Sequence, residues 1–417
     1  MARSPTSVVL NCGFFLVLEP VISKEPFTTD ERRAVFALAS LYSFRMLGLF
    51  MVLPLLAIYT ADLPGATPQT VGLALGAYGL TQACLQLPLG WLSDRIGRRP
   101  VIVGGLLFFI LGSGVAASAD SINGVIIGRF LQGCGAIAAA LTALAADSTR
   151  ESQRTKTMAF VGASVGLSFA FALVLGPLIA AFGGLQSVFL VTAGLGLCGL
   201  IIVIFVLPTP VTPSVVERGD WEASHVFGGG LPTIYGSIFL LHSIMMASFL
   251  VVPKLLADGL GFPPGHHWIM YLGTVILSVP PALLIMRQGR TDRDPKASLL
   301  TAVLPLLAGS LLALNSGSLW VMGLGLTLFF AGVNSLEALL PSTVSKLAPG
   351  KLRGTAMGLY ATCQFLGIFI GGALGGWVYT RGGLHGVSLL LLLSGALWAA
   401  VLLKTHFQTS SLVTSGD

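Results

Sequence analysis

Residues Leu87 to Ile102 read LPLGWLSDRIGRRPVI. An apolar run stops at Gly90, crosses a short polar turn carrying Asp94, Arg95, Arg98 and Arg99, and becomes apolar again from Pro100. The segments on either side approach the roughly 20 residues that an apolar helix needs to cross a bilayer, so the turn lies at a membrane face. Short Arg-rich loops stay on the cytoplasmic side, which makes this face the inner one.

Composition agrees with that reading. Of 417 residues 54% are apolar, only 10% are charged, and the mean hydropathy is +0.87. Such a chain cannot cover the surface of a soluble domain with polar groups, so its surroundings must be lipid. The formal net charge of +6 is scattered over short loops rather than gathered on one face, which argues against a nucleic-acid partner. Cys12, Cys84, Cys134, Cys198 and Cys363 sit apart in apolar surroundings with no ligand spacing and read as packing residues; no metal site is expected.

Outward from the opening turn, apolar segments of spanning length fall near 35–60, 70–92, 100–119, 123–147, 157–182 and 185–207, and again near 231–257, 266–287, 297–314, 318–342, 355–380 and 384–404. The polar stretch 208–230 separates the two sets. The chain thus divides into a cytoplasmic leader (1–34), a six-span half (35–207), a cytoplasmic linker (208–230), a second six-span half (231–404) and a cytoplasmic tail (405–417). The apolar run Val8–Leu18 is too short to span; it reads as an uncleaved leader, interfacial or disordered, or as the product of a misassigned start codon.

Charge supports this topology independently. With both termini inside, about 19 of the 23 Lys and Arg fall in cytoplasmic segments, Arg381 alone falls outside, and Arg45, Arg129 and Lys254 lie within spans. A shift of 199 residues lays Arg154 on Arg353, Met158 on Met357, Gly176 on Gly375 and Gly183–Gly184 on Gly382–Gly383, which points to an internal repeat.

Gly90, Leu92, Asp94, Arg95, Gly97, Arg98 and Arg99 fit, in type and spacing, the G-x-L-x-D-R-x-G-R-[RK] signature between the second and third spans of the major facilitator superfamily. IGRFLQGCGA (127–136) resembles the R-x-x-Q-G-x-G motif of its proton-coupled members, with Arg129, Gln132, Gly133 and Gly135 in place. Gly176-Pro177 match the centre of the antiporter motif of the fifth span, although Ala180 and Ala181 stand where its later glycine pair falls. From Glu31 onward, through ERRA, SFRMLGLFMVLP and EALLPS, the chain resembles a drug-exporter-like bacterial member whose carboxy-terminal soluble domain is not expected here, because the chain ends soon after Lys404.

The resemblance implies an all-α integral membrane protein of twelve transmembrane helices, arranged as two pseudo-symmetric six-helix bundles around a central cavity. It also implies a mechanical role for the opening turn. Gly90 would let the second helix approach the eleventh, Asp94 would sit at the N-terminus of that helix near Gly354 and Thr355, and Arg98 would bridge to Asp147. The result would be a latch favouring the outward-facing arrangement. A purely topogenic loop would explain the arginines but not the Asp and the paired glycines.

A charge in the hydrocarbon core is unfavourable unless it faces a wet cavity or a partner. Arg45, Arg129, Gln132, His242, Asn334 and Glu337 lie in the first, fourth, seventh and tenth spans, which line the cavity in proteins of this resemblance. Glu337 reads as a proton-exchanging or substrate-facing carboxylate, with a structural ion pair as the alternative, and His242 as either a proton site or hydrogen-bonded packing. Lys254 and Asp258 are spaced as an i, i+4 pair.

The expected function is secondary active transport, a proton-coupled antiport of small amphipathic or drug-like molecules out of the cell. A carrier of a specific, anionic metabolite and a non-transporting sensor are the alternatives. Enzyme motifs such as a P-loop or HExxH are missing from the sequence. Expected partners are the bilayer, a small-molecule substrate and protons, with no cofactor beyond the proton gradient, in a monomer of a bacterial inner membrane.

Overall fold

The computed structural model describes residues 26–207, 226–291, 295–349 and 352–407, and every regular element among them is helical. Most of the leader, linker residues 208–225, loop residues 292–294 and the tail from 408 lie outside the described residues.

Helix α1 (Thr29–Tyr59) starts earlier than its apolar run because of a capping box. Glu31 N donates to Thr28 Oγ1 (3.2 Å) and Thr28 N donates to the Glu31 carboxylate (2.9 Å). Helix α2 (Pro68–Ile96) and α3 (Arg98–Ala117) are separated by Gly97 alone, whose φ of +96° is open to glycine and rarely to other residues. The fourth span, read from sequence as one helix, is broken. Helix α4 (Ile122–Cys134) ends, Gly135–Ile137 make a tight turn, and α5 (Ala138–Asp147) resumes the path. The QGCG glycines supply the break, and the Gly135 carbonyl, taken out of the helical ladder, accepts from Ile137 N (2.9 Å) instead.

Two rods far exceed the thickness of a bilayer: α6 (Glu151–Ile201) and, later, α11 (Arg353–Lys404). Each is broken by glycine. Gly184 has φ +62°, ψ −162° and Gly383 has φ +55°, ψ −148°, so each rod folds into two legs at positions 199 residues apart. Between them run α7 (Leu231–Lys254), α8 (His267–Thr291), α9 (Pro295–Leu314) and α10 (Leu319–Leu347). A π-helical turn, Leu255–Gly259, continues α7. Lys254 and Asp258 straddle its start, and among the described residues no ion pair joins them.

A second internal correspondence appears only in three dimensions. A Cβ on Gly112 of α3 would strike the backbone of Gly128 and Gln132 on α4, and a Cβ on Gly309 of α9 would strike Gly325 and Phe329 on α10, each 197 residues further on. The same close helix crossing is therefore built twice from the same small residues.

Broad packing joins α1 to α6, and α11 to both α2 and α7. Helix α11 presents one glycine stripe to each neighbour: Gly367, Gly371 and Gly375 to Phe239, Ser243 and Ala247 of α7, and Gly372 and Gly376 to Gly72 and Pro68 of α2. Outward-facing large apolar side chains such as Phe182 (92% exposed), Trp320 (90%) and Phe205 (74%) cover the periphery, as an acyl-chain environment requires. Nine helical rods among the described residues are long and apolar enough to cross a membrane, two of them being the doubled rods α6 and α11.

Candidate functional site

Three polar groups of residues interrupt the apolar packing. The first lies at the junction of α2 and α3. Arg98 Nη1 donates to Ser93 Oγ (2.8 Å) and pairs with Asp94, while its Nε lies 3.4 Å from Asp147 Oδ2 at the end of α5. The Asp147 side chain is 10% exposed and that of Asp94 is 54% exposed, so the pair with Asp147 is the better shielded of the two. Arg95 stacks over the Trp91 ring (3.7 Å), and Arg99 reaches the Ile204 carbonyl.

One detail differs from the sequence reading. Gly90 faces Ala139 of α5 and not α11; the close approach of α2 to α11 is made by Gly72, Gly76 and Gly79, because only there do backbone atoms of α11 occupy the space of a Cβ. Asp94 is held by Arg98, and among the described residues no hydrogen bond links it to Gly354 or Thr355. The Arg98–Asp147 pair coexists with tight α2–α11 packing at the opposite, Pro68 end of α2.

The second group is centred on Tyr78 of α2, which is fully buried. Arg45 Nη2 donates to Tyr78 Oη (3.0 Å) and to the Gly135 carbonyl released by the break after α4 (3.0 Å). Arg129 lies over the Tyr78 ring (5.0 Å), donates to Gln132 Oε1 (3.0 Å), and lies 3.4 Å from the Ala74 carbonyl. Gln132 in turn donates to Ser113 Oγ (2.8 Å). Both arginines are 1% exposed.

The third group joins α7, α10 and α11. His242 Nδ1 lies 3.2 Å from the Ile238 carbonyl and so carries a hydrogen, which leaves Nε2 as the exchangeable position. Two groups converge on that one nitrogen: the Gln364 amide at 2.9 Å and Glu337 Oε1 at 3.3 Å. A bare carboxylate facing a ring lone pair is repulsive, so the Glu337–His242 contact calls for one proton between them. The neutral ring can instead accept from Gln364. Glu337 is 40% exposed and His242 5% exposed, which puts the carboxylate on the accessible side.

Asn334 is not part of this group; it donates to Ser278 Oγ on α8 (3.0 Å). Gly176 lets α6 approach the backbone of α1 at Met51, where a Cβ would come within 2.7 Å of the Met51 carbonyl oxygen, and Pro177 follows inside the helix. The sequence reading did not single out Tyr78 or Gln364. Their only signal was a polar group in an apolar span, a signal shared with many Ser, Thr and Gln that merely bond their own helix.

A polytopic all-helical membrane protein with polar groups buried between glycine-packed rods is the architecture of a membrane carrier. The chain belongs to the Major Facilitator Superfamily, whose family model matches residues 38–293. It is 43% identical over 380 residues to the inner membrane transport protein YajR of Escherichia coli (strain K12), covering 90% of this chain and 83% of that one. It is also 28% identical over 353 residues to the multidrug resistance protein MdtH of Aeromonas hydrophila, covering 83% and 86% of the two chains. Among solved structures it resembles a bacterial homologue of the human lysosomal transporter Spinster in an inward-facing, occupied conformation, with a TM-score of 0.69 at 12% identity over 90% of this chain and 93% of that one. The chain is therefore a multi-pass membrane transporter and not an enzyme.

Proposed function

We propose that this transporter is a proton-coupled antiporter that exports small amphipathic or drug-like molecules by alternating access. In this reading the chain crosses a bacterial inner membrane twelve times, with both termini cytoplasmic and the bundles 35–207 and 231–404 rocking as a monomer about the polar centre. The observation that carries it is the single exchangeable nitrogen of His242 shared by Glu337 and Gln364, on three different helices. Taking up a proton favours the contact between α7 and α10; losing it favours the contact between α7 and α11. Proton binding is thereby tied to which helices hold together. The likeness to MdtH, named for multidrug resistance, supports export, and that to YajR, named for the inner membrane, supports the location.

Proteoliposomes under an imposed pH gradient test this reading. Substrate movement is expected to follow the gradient in the parent and to lose its pH dependence in Glu337→Gln. Intact pH-driven transport in that variant removes Glu337 from the coupling site.

A further inference from the structure

The Tyr78 group contains an imbalance of charge that the proton site does not resolve. Arg45 and Arg129 are both 1% exposed, both converge on one tyrosine, and no carboxylate among the described residues is in ion-pair contact with either. Their protein partners are all neutral: a phenol hydroxyl, an aromatic face, two carbonyls and an amide oxygen. These leave Arg45 Nε, Arg45 Nη1 and Arg129 Nη2 buried without an acceptor. Gln82, one turn beyond Tyr78 on α2 and also fully buried, has neither amide atom bonded.

Burying a guanidinium is unfavourable unless an opposite charge and full hydrogen bonding compensate for lost hydration. Two adjacent guanidinium groups with spare donors make that deficit larger. An arginine's donors match the planar or tetrahedral oxygens of carboxylate, sulfonate or phosphonate better than any neutral group. Next to them Tyr78 makes an edge contact with Phe365 of α11 (centroids 6.3 Å apart), an aromatic surface for an apolar body.

We propose that Arg45 and Arg129, gathered on Tyr78, form the internal binding site for the anionic head of an amphipathic organic anion. This deepens the transport reading by naming its substrate class, and it places the anion among α1, α2 and α4, where Tyr78 meets Phe365, the residue next in sequence to the Gln364 that contacts His242. In the arrangement described here the site is closed, so the anion enters when the helices around Tyr78 part.

The test uses the purified full chain in detergent at fixed pH, with no gradient, and reads thermal stabilisation as a function of ligand concentration. The probes are 1-naphthoate, its neutral isostere 1-naphthamide and the cationic 1-naphthylmethylammonium. Naphthoate is expected to bind at least about tenfold more tightly than either isostere, the discrimination that a charged hydrogen bond provides. Arg129→Gln and Arg45→Gln should each weaken naphthoate by a similar factor, while Arg45→Lys, which keeps the charge, should retain most of it. Gln82→Leu provides a milder variant if an arginine replacement fails to fold, and it should weaken naphthoate selectively. Glu337→Gln should leave naphthoate binding intact, so a failure of proton coupling and a failure of the anion site give different results. Equal binding of all three probes, or naphthoate binding that survives both arginine replacements, overturns the proposal.

Discussion

Single residues at the α2–α3 turn divide the work unequally. Arg98 serves both Asp94 and Asp147, but water screens the first contact far more than the second. Asp94→Asn is therefore expected to change thermal stability by less than about 1 kcal/mol. Asp147→Asn should cost more, about 1–3 kcal/mol, because it leaves a shielded guanidinium short of a charge. Unfolding midpoints of the two variants in one detergent check this ranking, and the reverse order would place the latch at Asp94. The pairing of Arg98 with Asp147 was an expectation of the family resemblance, and the structure places the two side chains 3.4 Å apart. Sequence pattern could not reveal that Asp94 turns back to Arg98, because a side chain with two candidate partners is decided by local rotamers and shielding.

At the scale of helices, glycine is the material of contact. Gly72 on α2 and Gly372 on α11 each lie where a methyl group would overlap the other's backbone, whereas Gly104 of α3 and Gly162 of α6 face open space. Gly72→Ala or Gly372→Ala should force the Pro68 end of α2 away from α11, an overpacking penalty of about 1–3 kcal/mol. Spin labels at Ala66 and Arg381 should report a longer distance in these variants. Gly104→Ala and Gly162→Ala should leave that distance unchanged and stabilise their helices by up to about 1 kcal/mol. An unchanged distance in Gly72→Ala would show that the zipped contact is not what holds this end together. The glycines were visible in the sequence as a class, but their facing partners were not; the sequence reading gave the α11 contact to Gly90, and the structure gives it to three glycines nearer the other end of α2.

For the whole molecule, the two repeats at offsets of 199 and 197 residues describe one design used twice, in the glycine breaks of α6 and α11 and in the crossings of α3 with α4 and α9 with α10. The twelve-crossing reading places Gly97 on the inner face and Gly382 on the outer. In a background with its five cysteines replaced, Gly382→Cys in intact cells should react with a membrane-impermeant thiol reagent. A cysteine at Ile96, which is 54% exposed at the same end of α2, or at the tail should react only after permeabilisation. Labelling of the tail from outside would break the assignment of both termini to the cytoplasm.

Hydropathy, the distribution of Lys and Arg, and the motif at Gly90–Arg99 together determined from sequence that the chain is a helical membrane carrier of this family. Each of these depends on one-dimensional order: how long an apolar run is, and which loops carry charge. The break at Gly135, the convergence of Arg45 and Arg129 on Tyr78, and the sharing of the His242 nitrogen by Glu337 and Gln364 were decided only by tertiary structure. Those contacts join residues 33 to 122 positions apart on different helices. Helix rotation and depth, which no local pattern encodes, settle which of many buried polar groups meet.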